Sequence, residues 1–433
     1  MKKEIENRLY NSKRNLIVTG DILTGKTTNI LFPLVDKIIN KEESLLMLDS
    51  KEEYINKYYK TLKDKNYNII ILNLKDLDKG DTWNPLTYPY NLYKNNEENK
   101  ALYYLDSMAK SIFYSKSENE DPYWNLSAIN LFIAVMFGLF EDGKDDEINL
   151  KSISCMIDTI TERFGGVNYL INYFDNKDSL STLSSYSKSI RSVPKDTALA
   201  IYSTVKQKIN SFIPSEKMYM WLNKSSFDIN NISNKKTAIF IINHNEKKDN
   251  NLLISMFIDQ LFLKLFNDNN LNKFNFILDN FNTISHINDL SEKLGSGIYK
   301  NIKFIISTYS LEYLYDNYNK YLSSLCNIVY NTNNLIEFNI DGYSKKINKE
   351  YKNNITENQN INYYNSNLTT IKYFDLKKYV KNITRNNFID KYKDEYFKDT
   401  SIDPNASNLI NKINKRIEEI EKQEFLDNKN NIG

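Results

Sequence analysis

The sequence predicts an α/β fold in which a mainly parallel sheet is interrupted by an all-helical insertion and followed by a polar C-terminal tail. Three observations predict it. Residues Gly20 to Thr27 read G-D-I-L-T-G-K-T directly after the apolar run Leu16-Ile17-Val18, which is the strand, turn and helix start of a phosphate-binding loop. Beyond the loop, short apolar strands alternate with amphipathic helices, the βαβ pattern of a parallel sheet covered on both faces. The strand signal then disappears from Asn99 to about Trp221 and returns at Thr237.

In the loop, Gly20 and Gly25 give the backbone freedom to curl around phosphates, which meet the free N–H groups and positive dipole end of the next helix. Lys26 is placed to reach the outer phosphates, and the Thr27 hydroxyl, at the helix start, to hold a Mg²⁺ that bridges them. Thr24 and Thr28 complete the expected cofactor-binding set, with a nucleoside triphosphate, ATP or GTP, and Mg²⁺ as the expected cofactors.

In chain order, Asn29 to Ile39 continues as an apolar helix that includes Pro33, and Ser44 to Leu48 is a buried strand ending at Asp49. Glu52 to Asn66 reads as helix and Asn68 to Asn73 as another buried strand. Leu102 to Phe113, Trp124 to Phe140 and Thr197 to Phe212 have helical spacing without strand signal. Strands resume at Thr237 to Ile242, Phe274 to Leu278 and Phe304 to Ser307, with helix from Leu252 to Phe266 between the first two. The expected partition is 1–98 and 226–342 for the nucleotide-binding domain, 99–225 for the helical domain, and 343–433 for a partly disordered tail with an amphipathic helix from Ser407 to Phe425.

Bulk properties narrow the function classes. The 433 residues carry 57 basic and 55 acidic side chains, so no whole-chain field points to nucleic acid or an anionic membrane. Cys155 and Cys326 do not make a disulfide framework or a zinc site, and His244 and His286 are isolated. Met1 to Lys13 is polar and is not a signal segment. The apolar run Leu126 to Phe140 is shorter than the ~20 residues that span a bilayer and reads as a buried helix.

A phosphate-binding loop that hydrolyses its ligand needs a second strand ending in a carboxylate to orient Mg²⁺ and its waters. Phe274-Asn275-Phe276-Ile277-Leu278-Asp279 has that form. In many such ATPases a Glu follows the Asp and polarises the attacking water. Here the next residue is Asn280, whose amide can position water but cannot take its proton.

These segments resemble the TraG/TraD-type coupling proteins, the DNA-pumping ATPases of conjugative type IV secretion, over roughly residues 15 to 340. Asp49-Ser50-Lys51-Glu52-Glu53 is similar to the family's D-P-K-G-E, and Asp81-Thr82-Trp83-Asn84-Pro85-Leu86 to its W-N-P-L segment. Asp121-Pro122-Tyr123-Trp124 resembles its D-P-F-W entry to an all-α domain, and Ala198 to Val205 that domain's end. Leu278-Asp279-Asn280-Phe281 stands where the family has L-D-E-F, and Tyr309-Ser310-Leu311 where it has Q-S-L. Ser50, Glu52, Asn280 and Tyr309 are the departures. Taken alone, Trp83 to Leu86 also reads as a loop anchored by a buried indole, Lys51 to Glu53 as a charged first helical turn, and Tyr309 as a packed aromatic.

The resemblance implies a RecA-like P-loop domain in a homo-oligomeric ring, a hexamer, around DNA. Its implied partners are DNA and relaxase-DNA or membrane secretion components. It implies an ATPase in which Lys26 and the loop hold the phosphates, Thr27 and Asp279 hold Mg²⁺, and Asn280 positions water. A neighbouring subunit is expected to supply an arginine, with Arg163 and Arg191 as candidates. Family members commonly carry N-terminal membrane helices, whereas here the loop begins at Gly20. Membrane contact is therefore expected through a partner, on the cytoplasmic side at the inner face of the cell membrane. The alternative is a nucleotide-gated scaffold that recruits transfer partners without turnover.

Overall fold

The computed structural model describes residues 3–113, 121–164, 167–243, 251–268, 272–349 and 364–383, together with 415, 416, 418, 419 and 422. The chain forms two compact units, one of residues 1–88 and 212–369, the other of 89–211 and 370–433. The strands are β1 (Asn15–Thr19), β2 (Ser44–Leu48), β3 (Asn68–Asn73), β4 (Arg163–Phe164), β5 (Val167–Asn168), β6 (Thr237–Ile242), β7 (Phe274–Leu278), β8 (Ile302–Thr308), β9 (Cys326–Asn331), β10 (Leu335–Ile340) and β11 (Tyr343–Asn348).

In the first unit nine strands form one sheet in the order β11-β10-β9-β1-β8-β7-β2-β6-β3. From β9 to β3 every pairing is parallel, with β1 between β8 and β9. The β9-β10-β11 meander closes one edge antiparallel. Parallel strands need helical crossovers, and covering both faces makes β1, β2, β6, β7 and β8 buried throughout instead of alternating. On one face Leu16, Val18, Leu45, Met47, Phe240 and Ile277 share a core with Val35, Ile38, Tyr58 and Leu62 of helices Phe32–Asn40 and Glu53–Asp64. On the other, Phe276 stacks on Phe304 at 4.6 Å, and Phe262 of helix Asn251–Phe266 lies 5.9 Å from Phe304.

The polar N-terminal stretch holds a helix, Lys3–Asn11, that the sequence reading passed over. Ile5 and Leu9, one turn apart, bury against the sheet, and its last carbonyls find a cation from β8. The Lys303 ammonium donates to the carbonyls of Leu9 and Ser12, each at 2.8 Å, which satisfies a helix end that otherwise leaves acceptors unpaired.

The second unit is helical: Glu98–Phe113, Pro122–Asp142, Leu150–Asp158, Tyr169–Asp175, Thr182–Arg191 and Lys195–Phe212, the last ending at the unit boundary. It also holds a two-residue antiparallel pair, β4 with β5, where no strand was expected. Its central helix spans 21 residues because Asp121 caps it, accepting from the Tyr123 N–H at 2.9 Å, with Pro122 at the first turn. It is therefore longer than its apolar run and, among the described residues, the one helix long and apolar enough to cross a membrane. Most of its side chains are buried inside the unit. Gly138 lets Tyr173 approach so closely that a Cβ there would lie 2.8 Å from the ring.

The stretch from 343 onward is not a tail throughout. Residues 343–348 form β11, whose alternating half-exposed and exposed side chains hid a strand in a polar sequence. In the first unit, Tyr364 and Ser366 exchange backbone hydrogen bonds with Gly80 and Asp78. In the second, Phe374, Leu376 and Val380 are buried and the Phe374 N–H donates to Ser152 Oγ at 2.9 Å. Of the helix expected over 407–425, residues 415, 416, 418, 419 and 422 are described and are helical. His244 lies outside the described residues, and His286 stacks on Tyr318 at 4.7 Å. Both cysteines are free thiols.

Burial, reinforced by the charge of Lys273, pushes the Lys303 ammonium down to about 7. An unfolded lysine keeps its proton to about 10.4, so between these values the unfolded chain binds more protons and stability rises with pH. Urea unfolding at pH 7 and pH 9.5 measures this rise, which Lys303→Met is expected to flatten. Parallel pH profiles for the two proteins would show that Lys303 titrates as an ordinary lysine.

Candidate functional site

The site lies at the carboxyl edge of the parallel sheet, where β1, β8, β7 and β2 end side by side. Gly20 follows β1 with φ +155°, and a Cβ there would sit 1.9 Å from the Asn331 carbonyl oxygen at the end of β9. Gly25 has φ +76°. Between them the loop bulges outward: Leu23 takes φ +65°, rare for a branched side chain, and Ile22 and Leu23 are 76% and 90% exposed. Such backbone strain concentrates where structure serves a ligand.

Lys26 is nearly buried. Its ammonium folds back to donate to the carbonyls of Gly20 at 2.7 Å and Asp21 at 2.9 Å. Burial lowers its pKa, the charges of Asp279 and Asp21 oppose that, and Lys51 adds to it. The buried Thr24 hydroxyl donates to the Asp21 carbonyl at 2.9 Å, and the exposed Thr28 hydroxyl approaches the Gly25 carbonyl at 3.4 Å. The helix expected from Asn29 begins as a π turn, Thr27–Leu31, before the α-helix Phe32–Asn40. Pro33 has no N–H for the Asn29 carbonyl, so the α pattern cannot run through.

Asp279 and Thr27, 252 residues apart, meet here: the Thr27 hydroxyl donates to Asp279 Oδ2 at 2.7 Å. β8 separates their parent strands in the sheet. Asp279 Oδ2 accepts a second hydrogen bond from the Tyr54 hydroxyl at 3.1 Å, and Oδ1 accepts from the Asn280 N–H at 3.0 Å. Tyr54 is fully buried in the first turn of helix Glu53–Asp64, and burial followed by the charge of Asp279 raises its hydroxyl pKa. Sequence reasoning missed it, since one Tyr among 32 carries no signal without the fold.

Asp49, at the end of β2, anchors that helix: its Oδ2 accepts from the Ile55 N–H at 2.8 Å. Burial lifts its carboxyl to about 7 against the pull of the backbone donors of Ile55, Tyr54 and Glu53. Glu52 takes φ +59°, so the position aligned with the Gly of the D-P-K-G-E pattern has a left-handed backbone with a side chain present. Lys51 is exposed. Burial raises the Glu53 carboxyl, Lys51 opposes, and Asp279 adds.

Asn280 is half-buried with φ +53°, a conformation Asn tolerates well. Its amide approaches Ser50 Oγ at 3.5 Å. Asn282 Oδ1 accepts from the Thr308 hydroxyl at 2.9 Å and the Tyr309 N–H at 3.1 Å, tying the exits of β7 and β8 together. The Tyr309 side chain is half exposed, 5.9 Å from the Tyr313 ring. Trp83 is the buried anchor its loop called for, donating to Gln260 Oε1 at 3.2 Å and packed edge-on to Phe257. Arg163 and Arg191 belong to the helical unit, where Arg191 donates to Asp175 at 2.8 Å and to Ser184 at 3.2 Å.

The donor set suits the expected cofactors. A hydroxyl and a carboxylate are hard oxygen ligands, and Mg²⁺ uses few of them and keeps its waters. Among the described residues no three His, Cys, Asp or Glu side chains gather as a metal centre. The loop leaves no room for a Cβ at Gly20 and sets one buried cation beside the Thr27–Asp279 pair.

A family model described as Type IV secretory system Conjugative DNA transfer matches residues 12–385. No curated protein matches the sequence. The bacterial conjugative coupling protein TrwBdeltaN70, in its unbound monoclinic form, aligns over 76% of this chain and 69% of its own with 15% identity and a TM-score of 0.56. Plasmid coupling protein TrwB in complex with the non-hydrolysable ATP analogue ADPNP aligns over 78% of each chain, with 15% identity and a TM-score of 0.56. TrwB in complex with ADP and Mg²⁺ aligns over 80% of this chain and 79% of its own, again at 15% and 0.56. These likenesses are of fold, the α/β RecA-like P-loop fold.

The Tyr54–Asp279 bond is a buried hydrogen bond to a carboxylate, worth about 1.5–3 kcal/mol. Tyr54→Phe is expected to destabilise the protein by that amount in chemical denaturation. A change below about 0.5 kcal/mol, the range of an uninvolved surface site, would remove Tyr54 from the site's support.

Proposed function

The chain belongs to the type IV secretory system conjugative DNA transfer family, and from that premise we propose that it is a coupling protein that binds ATP with Mg²⁺ to move DNA or recruit it for transfer. One observation carries this reading: the Thr27 hydroxyl and the Asp279 carboxylate converge to 2.7 Å beside a glycine-bounded loop that holds Lys26. A parallel sheet brings these groups together at its carboxyl edge, where α/β folds bind their ligands.

In this reading the loop from Gly20 to Thr27 wraps the phosphates and the Lys26 ammonium turns from the Gly20 and Asp21 carbonyls onto their oxygens. Thr24 and Thr28 flank the turn. Thr27 and Asp279 hold Mg²⁺, which when bound neutralises charge on the outer phosphates. Tyr54 holds the Asp279 carboxylate in orientation. Asn280 positions water but takes no proton, which lowers the rate by about 10²- to 10⁴-fold relative to a carboxylate base. The helical segment acts as an inserted domain, and the functional form is a ring of copies around DNA, with membrane contact through a partner.

Asn280 also favours a second reading, in which nucleotide binding gates assembly or recruitment without turnover. The two differ in one measurable quantity, ATP turnover by purified protein with and without single-stranded DNA, with Lys26→Ala as the blank. Turnover above the blank and stimulated by DNA is expected for the motor. Binding that depends on Lys26 without turnover is expected for the switch.

Lys26→Ala removes charge-assisted phosphate contacts worth about 1.5–3 kcal/mol each, so its ATP affinity should fall at least tenfold. Equal affinity in the variant would sink both readings. Where DNA is the partner, the logarithm of its affinity should fall linearly with the logarithm of salt concentration; binding indifferent to salt would take DNA out of the account.

A further inference from the structure

A second lysine reaches the phosphate-binding loop, from the far end of the first unit. The Lys349 ammonium, just past β11, donates to the Thr24 carbonyl at 2.6 Å and also to the Thr332 carbonyl in the turn between β9 and β10. Its own N–H donates to the Asn334 carbonyl at 2.9 Å, so its backbone is fixed to that turn. The Thr24 carbonyl accepts a second bond from Asn331 Nδ2 at 3.1 Å, and Asn331 is also the residue whose carbonyl Gly20 passes against. Two hydrogen bonds thus meet on the Thr24 carbonyl, and Gly20 passes close against the same edge of the sheet.

The chemistry of the clasped group gives this arrangement a use. The Thr24 carbonyl shares a peptide plane with the Gly25 N–H, one of the loop amides that phosphate oxygens meet in such a motif. A cation on the carbonyl oxygen draws electron density along the plane and makes that N–H a stronger donor, since hydrogen bonds in series reinforce each other. The cation also adds to the positive field of Lys26. Two like charges converge on the loop, and burial together with the charge of Lys26 lowers the Lys349 pKa, a cost that an anionic ligand relieves.

We infer that Lys349 is a positioning residue for nucleoside triphosphate binding: it clamps and polarises the Thr24–Gly25 peptide from outside the loop, coupling phosphate affinity to the seating of the β9-β10-β11 meander. This inference rests on the nucleotide-binding reading of the site.

The test is the affinity of a fluorescent ATP analogue with Mg²⁺ for the full chain and for Lys349→Met, Lys349→Gln, Lys349→Arg and Lys26→Ala, with thermal unfolding of each protein without nucleotide. By Coulomb's law at intermediate dielectric, loss of one unit charge beside the loop is worth about a five- to tenfold change in phosphate affinity. Lys349→Met and Lys349→Gln are expected to bind about five- to tenfold more weakly with melting temperatures near that of the parent. Lys349→Arg is expected to recover most of the loss, which repair of packing alone would not produce. Parent-like affinity in both neutral variants, while Lys26→Ala binds poorly, would overturn the role of Lys349 and leave the nucleotide site standing. Absence of binding by the unaltered chain would overturn both. Equal losses in Lys349→Arg and Lys349→Met would show that charge is not the agent.

Discussion

The close passage of Gly20 against the last residue of β9 is the constraint on which the site depends. A strand with parallel neighbours on both sides has no free edge, so the chain leaving β1 must turn over the ends of those neighbours. At Gly20 that turn passes where any side chain would overlap the Asn331 carbonyl. Once this approach is set, the loop can return into the helix at Thr27, and Thr27 can face the end of β7 across β8. The strain at Leu23 follows from the same tight return.

Charge in the site is balanced by pairs drawn from separate elements. Lys26 lies among Asp279 and Asp21, with Lys51 opposing, and Glu53 is set between Lys51 and Asp279. The uncharged Tyr54 donates to Asp279 without adding charge. Asp49, buried beneath, spends its acceptors on the helix that carries Tyr54 and Glu53, so helix capping and site geometry are the same set of bonds. Glu52 keeps a left-handed backbone without the glycine that makes it easy, roughly 1 kcal/mol of strain.

The helical unit shows how composition and burial divide the explanation of one helix. Pro122–Asp142 is long and apolar enough to cross a membrane, yet its side chains from Leu131 to Phe140 are buried on every side. A helix apolar on every side is one that is surrounded, and Tyr173 against Gly138 is a close fit within that packing.

Much of this was legible in the sequence. The loop motif, the βαβ alternation and the strand ending at Asp279 are local patterns, and local patterns obey the fixed periods of helix and strand. The same holds for Trp83, whose bulk and single donor call for a buried partner. What escaped was non-local. Tyr54 meets Asp279 across 225 residues, Asn331 meets Thr24 across 307 and Lys349 meets Thr24 across 325. The half-exposed edge strand β11 carries too little apolar pattern to announce itself. The sequence alone therefore determined the type of fold and the chemistry of the loop, because both reside in short stretches of chain. The tertiary structure alone decided which distant carbonyls, hydroxyls and ammonium groups complete the site, because strand order in a parallel sheet sets which chain ends meet at its carboxyl edge.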